Sequence, residues 1–133
     1  MNNSNSFSLY VNIPFCKSKC NYCDYFTVRN YNDYSKNYID ALMSEIILYK
    51  YYRLKTVYIG GGTPSILNYQ LFEKLITCIK KNFILEQNTE FTIELNPDDV
   101  NIELIKTYKK FGINRISLGI QSFKRFSISF TNV

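Results

Sequence analysis

The sequence predicts an α/β protein of about four parallel strands and three helices, and three observations carry that reading. Short apolar runs of strand length alternate with segments of helical period. The first three runs close on turn residues, namely Pro14, Gly60 and Asn96-Pro97, and the fourth closes on Gly119. The composition is that of a folded domain, with 46% apolar and 20% charged residues in a chain of 133, enough for one hydrophobic core.

The elements follow in order. Ser8 to Ile13 is a short apolar run ended by Pro14 and reads as a strand, and Pro14 to Asp24 has no period and reads as a loop. From about Asn32 to Tyr52 the pattern is helical: Tyr34, Tyr38, Leu42 and Ile46 recur at four-residue spacing beside Ile39, Met43 and Ile47. Thr56 to Gly60 is a β-branched strand entering a glycine cluster. Tyr69 to Asn82 is an amphipathic helix with Leu71, Phe72, Leu75, Cys78 and Ile79 on its apolar side. Glu90 to Leu95 is a third strand, Ile102 to Phe111 a third helix capped by Gly112, and Arg115 to Gly119 a fourth strand. A β-α-β-α-β-α-β order implies parallel strands with right-handed crossovers, in a sheet or barrel covered on both faces.

Net charge is +5, from 16 Lys and Arg against 11 Asp and Glu. Its densest runs, Lys80-Lys81 and Lys109-Lys110, fall at predicted helix ends, where cations complement the helix dipole. Without an arginine-rich stripe they read as solvated faces, not as a nucleic-acid surface. No apolar run approaches the ~20 residues of a membrane span, and Met1 to Ser6 is unlike a signal peptide. A cytoplasmic, reducing compartment is the expectation, and there cysteines bind metal more readily than they pair. The chain has no histidine, which removes His-based zinc sites and Ser–His or Cys–His dyads.

Cys16, Cys20 and Cys23 stand at C-x3-C-x2-C within one loop. Soft thiolates so placed select an iron–sulfur cluster or zinc. Three ligands leave one iron of a four-iron cluster open, whereas structural zinc wants a fourth ligand that no His or second Cys pair supplies and that Cys78 could supply only if its helix turned it away from the core. Free thiols are the remaining alternative, and Cys78, on an apolar helix face, reads as a small core residue.

Together with these cysteines, the segments Leu9 to Cys16, Cys20 to Tyr25, Gly60 to Ser65 and Gly119 to Phe123 resemble the radical S-adenosylmethionine superfamily. More narrowly, they resemble the oxygen-independent coproporphyrinogen III oxidase family and its haem-chaperone branch. The resemblance implies the N-terminal part of a partial, TIM-like (β/α) barrel over residues 1–123. It implies a [4Fe–4S] cluster on Cys16, Cys20 and Cys23, and S-adenosylmethionine cleaved by the reduced cluster to a 5′-deoxyadenosyl radical. It places Gly61, Gly62 and Thr63 at the methionine amino end of that cofactor, Glu94 at its ribose, and Gln121, Tyr10 and Tyr22 beside it. No Lys-Ser/Thr follows the glycines, so a phosphate-binding loop is excluded. A solvated charge is the plain alternative for Glu94, and a simple tight turn for the glycines. No catalytic side chain is implied, since the cofactors carry the chemistry.

Two departures from the family pattern matter. Coproporphyrinogen-oxidising members usually carry a further Cys where this chain has Tyr25, and Cys-Asp-Tyr resembles the haem-chaperone branch, so haem is implied for the full-length protein. After Phe123 the segment 124–133 matches nothing in the family, which reads as a truncation or frameshift. On that reading the chain is too short for full turnover, its fourth strand is an exposed apolar edge, and substrate, electron donor and oligomeric state stay open.

Overall fold

The computed structural model describes residues 5–29 and 31–120. Four strands form one sheet in the order β1-β2-β3-β4, all neighbours parallel. They are β1 (Phe7–Ile13), β2 (Arg53–Gly61), β3 (Ile84–Leu95) and β4 (Arg115–Leu118). The helices α1 (Tyr31–Leu48), α2 (Tyr69–Asn82) and α3 (Ile102–Lys110) connect them, and 3-10 turns follow β2 at Pro64–Ile66 and β3 at Pro97–Asp99.

The helix ends show why the sequence folds this way. Asn68 Oδ1 accepts from Leu71 N–H at 2.9 Å and Asn101 Oδ1 from Leu104 N–H at 2.9 Å, so side-chain oxygens satisfy donors that the first turns leave free. Gly112 takes φ +83° after α3, the left-handed cap expected of it. The end of α1 was not legible. It stops at Leu48, and the chain leaves through Tyr51 at φ 72°, a conformation glycine usually supplies. Its apolar stripe is also narrower than its sequence period suggests, with Ile39 and Ile46 buried but Tyr34 and Ile47 exposed.

Strand β3 begins earlier than its apolar run. Ile84 and Leu85 pair with Arg53 and Leu54, residues 86–89 make an excursion, and pairing resumes at Thr56 with Glu90. Thr89 Oγ1 donates within this excursion to Leu54 O at 3.0 Å and Glu86 O at 2.8 Å. The polar Glu86-Gln87-Asn88 run hides that first segment from any period.

One face of the sheet carries Val11, Ile13, Val57, Ile59, Phe91, Ile93 and Leu95, all buried with Leu75, Ile76 and Ile79 of α2 and Ile39 and Ile46 of α1. The opposite face is polar. Its registers give one layer of Ser8, Thr56 and Glu90 and a second of Tyr10, Tyr58, Thr92 and Arg115. Asn12, Gly60, Glu94 and Ser117 occupy the next positions toward the C-terminal strand ends. The expected cover on both faces is therefore met on one among the described residues, because alternate strand positions are tyrosine or polar. Among the described residues β4 is an edge strand, with Ile116 and Leu118 exposed on the helix side.

Truncating Leu75, which is fully buried, to Ala should cost about 2–5 kcal/mol, whereas Leu48→Ala, at 78% exposure, should cost little. Urea denaturation checks this, and equal losses would contradict the core assignment.

Candidate functional site

Loops leaving the C-terminal ends of β1, β2 and β3 converge on one cavity of about 780 Å3. In parallel α/β architectures these strand ends are where ligands are received.

The loop after β1 is closed by the backbone. Val28 N–H donates to Pro14 O at 2.7 Å and Cys16 N–H to Val28 O at 3.3 Å, making a parallel bridge between Phe15 and Val28. Cys23 N–H donates to Cys20 O at 3.0 Å, a tight turn that holds the second and third cysteines together. Buried Phe15 anchors the loop edge-on against Tyr38, with ring centroids 5.3 Å apart. Cys16, Cys20 and Cys23 are free, half-buried and line the cavity.

The glycine turn after β2 lies directly against this loop. Gly62 N–H donates to Ile13 O at 2.8 Å and Thr63 N–H to Phe15 O at 2.7 Å. A Cβ on Gly62 would stand 2.6 Å from Phe15 O and 3.0 Å from Cys16 Sγ. Gly61 takes φ +111°, and a Cβ there would meet Asn12 Oδ1 at 2.1 Å. The glycines therefore have a reason beyond room for a ligand: they let the cysteine loop seat on the strand ends. Buried Thr63 donates its hydroxyl to Cys16 Sγ at 3.6 Å and accepts from Asn96 Nδ2 at 3.4 Å.

Glu94 is not a solvated charge. Its Oε1 accepts from Tyr58 OH at 2.7 Å and its Oε2 from Gly61 N–H at 3.0 Å. A carboxylate accepts about four hydrogen bonds, so capacity remains on the cavity that Glu94 lines. The bond to Glu94 and then burial push the Tyr58 hydroxyl above its ordinary value, which keeps it a donor at neutral pH.

Burial also pushes the Cys16 thiol up. The Thr63 hydrogen bond opposes this, and negative charge on Cys23 and Cys20 adds to the rise. Without metal the first cysteine is a neutral thiol, and a metal that takes it as thiolate must displace its proton.

Other predicted residues sit at different depths. Tyr22 lines the cavity, half-exposed. Tyr10 lies one layer below, stacked on Tyr58 with centroids 5.7 Å apart and planes 17° apart. Gln121 lies outside the described residues, as does the segment 124–133. Cys78 is part-buried between α2 and α1, its sulfur 3.9 Å from Met43 O, and is not among the cavity's lining residues.

Several residues at the site carry no sequence signal. Asp99, in the turn after β3, accepts from Lys17 Nζ at 2.7 Å on one oxygen and from Ser65 Oγ at 2.6 Å on the other. In the sequence the preceding Asn96-Pro97 reads only as a strand stop. Tyr58, Asn96 and Ser117 are single polar residues whose roles depend on which strands lie side by side.

An array of parallel strands presenting cysteine thiols, a glycine turn and a held carboxylate at one end defines an α/β protein of the partial-barrel class. The Radical SAM superfamily model matches residues 10–131, and the chain belongs to that superfamily. It is 44% identical over 116 residues to the heme chaperone HemW of Lactococcus lactis, covering 87% of this chain and 31% of that protein. It is 35% identical over 121 residues to HemW of Escherichia coli, covering 87% and 32%. The oxygen-independent coproporphyrinogen III oxidase of Salmonella typhimurium is 32% identical over 123 residues, covering 89% and 27%. Among solved structures, coproporphyrinogen III oxidase (HemN) from Escherichia coli, a radical SAM enzyme, superposes with a TM-score of 0.85 at 30% identity, covering 96% of this chain and 30% of that one. The chain thus spans about a third of the length of these relatives, which are of the two kinds its motifs resemble.

Membership implies a [4Fe–4S] cluster and S-adenosylmethionine. The donor set fits the cluster. Three free thiols of one loop line the cavity, and soft sulfur donors suit a cubane that takes each thiolate on a different iron. No helix among the described residues is long and apolar enough to cross a membrane.

Two outcomes follow from this geometry. Gly62→Ala must displace the Phe15 carbonyl or the Cys16 sulfur and should lower stability by about 1–3 kcal/mol in urea denaturation; an unchanged midpoint would refute that packing. Asp99 gives a pH signature. Burial raises its carboxyl, but hydrogen bonds from Lys17 and Ser65 and the Lys17 charge outweigh this and hold it below its ordinary value. A lowered carboxyl adds stability above its unfolded pKa of about 3.9 and loses it as pH falls through the folded value. With Lys17 61% exposed, solvent screening limits the contribution to under about 1 kcal/mol. The stability difference between the native chain and Asp99→Asn should hold from neutral pH to about 5 and shrink below about 4; a difference that does not shrink would contradict it.

Proposed function

We propose that Cys16, Cys20 and Cys23 hold a [4Fe–4S] cluster with one iron free of protein ligands, and that S-adenosylmethionine binds against it. The observation that carries this reading is the convergence of those thiols, the Gly61–Thr63 turn and Glu94 on one cavity. Gly61, Gly62 and Thr63 would meet the methionine amino end through backbone carbonyls, and Glu94 would take the ribose hydroxyls on its unused lone pairs. Tyr22 would flank the cofactor from the cysteine loop, Tyr10 would support Glu94 through Tyr58, and Gln121 would be the cofactor-contacting glutamine that the family resemblance implies. When bound, the cluster and S-adenosylmethionine supply radical chemistry, while the protein supplies position and shielding.

The more similar of the longer relatives are heme chaperones, and Tyr25 in place of a further cysteine agrees with that branch. We therefore propose that this chain is the N-terminal, cofactor-binding part (residues 1–123) of a haem-trafficking protein of a reducing, cytoplasmic compartment. Oxidation of coproporphyrinogen III is the second reading, favoured by the superposition on the HemN structure. Haem binding without conversion of coproporphyrinogen III, measured on a full-length relative containing this unit, separates the two.

Anaerobic iron–sulfur reconstitution of this chain, followed by EPR of the reduced protein, tests the site itself. A [4Fe–4S] signal should appear and shift on adding S-adenosylmethionine. Serine at Cys16, Cys20 or Cys23 should abolish stoichiometric iron, and Cys78→Ser should not. Glu94→Gln should keep the cluster and weaken the cofactor response about tenfold, as expected for lost hydrogen bonds to a charged group. A cluster that ignores S-adenosylmethionine would overturn the cofactor pocket, and no cluster would overturn both assignments.

A further inference from the structure

A single half-buried carboxylate joins the loops that follow three successive strands. Asp99, in the turn after β3, has a side chain only 14% exposed and uses both oxygens. One oxygen holds Lys17, the residue after Cys16 in the loop following β1, at 2.7 Å. The other holds Ser65, in the turn following β2, at 2.6 Å. Asp99 is itself fixed, since its N–H donates to Asn96 O at 3.1 Å and its carbonyl accepts from Asn101 Nδ2 at 3.4 Å. All three loops line the same cavity.

The tie matters because of where the cysteine loop is otherwise held. Among the described residues backbone hydrogen bonds hold its two ends, Val28 to Pro14 and Cys16 to Val28 closing the loop on itself and the glycine turn donating to Ile13 and Phe15. Within the span from Lys17 to Thr27, Cys23 N–H donates to Cys20 O, a bond internal to the loop. Side chains tie the cysteine segment to the neighbouring strand ends at two successive residues, Cys16 by the Thr63 hydroxyl at 3.6 Å and Lys17 by Asp99 at 2.7 Å. A charged hydrogen bond at Lys17 restricts the Cys16–Cys20 span without filling the cavity.

We propose that Asp99 is a positioning residue for the cysteine loop, acting through Lys17 and bracing against Ser65. Its bearing on a bound cluster rests on the function proposed above; the ordering of the loop does not. In this role Asp99 contacts neither cluster nor cofactor. It sets how closely the first and second thiols keep the spacing that a cluster needs.

The test compares the native chain with Asp99→Asn, Lys17→Met and the double variant, both metal-free and after anaerobic reconstitution. In the metal-free protein, amide hydrogen exchange across residues 16–27 should quicken about tenfold in either single variant, the scale of one charge-assisted hydrogen bond. Exchange in α2 and β2 should stay unchanged, and the double variant should be no worse than the singles, because both remove one interaction. In the reconstituted protein both variants should start with native iron content, lose it to a chelator several-fold faster, and show a weakened EPR response to S-adenosylmethionine. Asp99→Glu, which keeps the carboxylate, should recover part of each effect. Native exchange within the loop in Asp99→Asn would overturn the proposal, as would additive effects of the two substitutions. If no protein takes up a cluster while loop exchange still quickens, the positioning role stands and the cluster assignment falls. If clusters load and respond identically in all variants, the role toward the cluster falls and the cluster assignment stands.

Discussion

The site depends on the continuation of parallel pairing beyond the strand ends. β1 and β2 stay in register to Ile13 and Gly61, and the next bonds, Gly62 to Ile13 and Thr63 to Phe15, carry that register into the loops. The cysteine loop and the glycine turn are therefore one hydrogen-bonded unit, not two loops that happen to be close. Gly62 makes this possible by having no Cβ where the Phe15 carbonyl and the Cys16 sulfur sit. A parallel pair must be covered by its crossover, so the position of the first cysteine is tied to the packing of α1 against the sheet. Tyr38 shows the link directly: it donates to Asn12 O at 2.6 Å and meets Phe15 edge-on.

Alternation along the strands divides the labour of the sheet. Helix-facing positions hold the aliphatic core, which supplies the stability. Opposite positions carry tyrosines, threonine, an arginine and Glu94 in layers that lead up to the cavity. Tyr10 stacks on Tyr58, Tyr58 donates to Glu94, and Glu94 accepts from Gly61. This chain of contacts runs from the middle of the sheet to the glycine turn. It gives the polar face a structural task in addition to any ligand.

Charge is distributed with the same economy. Burial pushes the thiol of the first cysteine up, so a metal that takes it as thiolate releases its proton. Of the carboxylates that line the cavity, Glu94 and Asp99 each use both oxygens on protein donors. Each is oriented before any ligand binds, and preorganised dipoles and charges of this kind cost no rearrangement on binding.

The fold was legible where local chemistry sets it. Strand and helix order, the limits of α2 and the Gly112 cap follow from period, side-chain capping and a left-handed residue. The end of α1 and the start of β3 were not legible. A left-handed Tyr51 and a polar excursion at 86–89 are held by long-range bonds, from Tyr51 N–H to Asn82 O and from Thr89 to Leu54 O. By itself the sequence determined which donor groups the chain offers, the thiols at C-x3-C-x2-C, the glycine run and the Glu94 carboxylate, because those groups owe their chemistry to their own atoms. Only the tertiary structure decided that Asp99, Lys17, Ser65 and Tyr58 belong to the site, and that Tyr10 lies beneath it. Their roles come from which strand ends stand side by side, and parallel pairing brings together residues up to 82 positions apart.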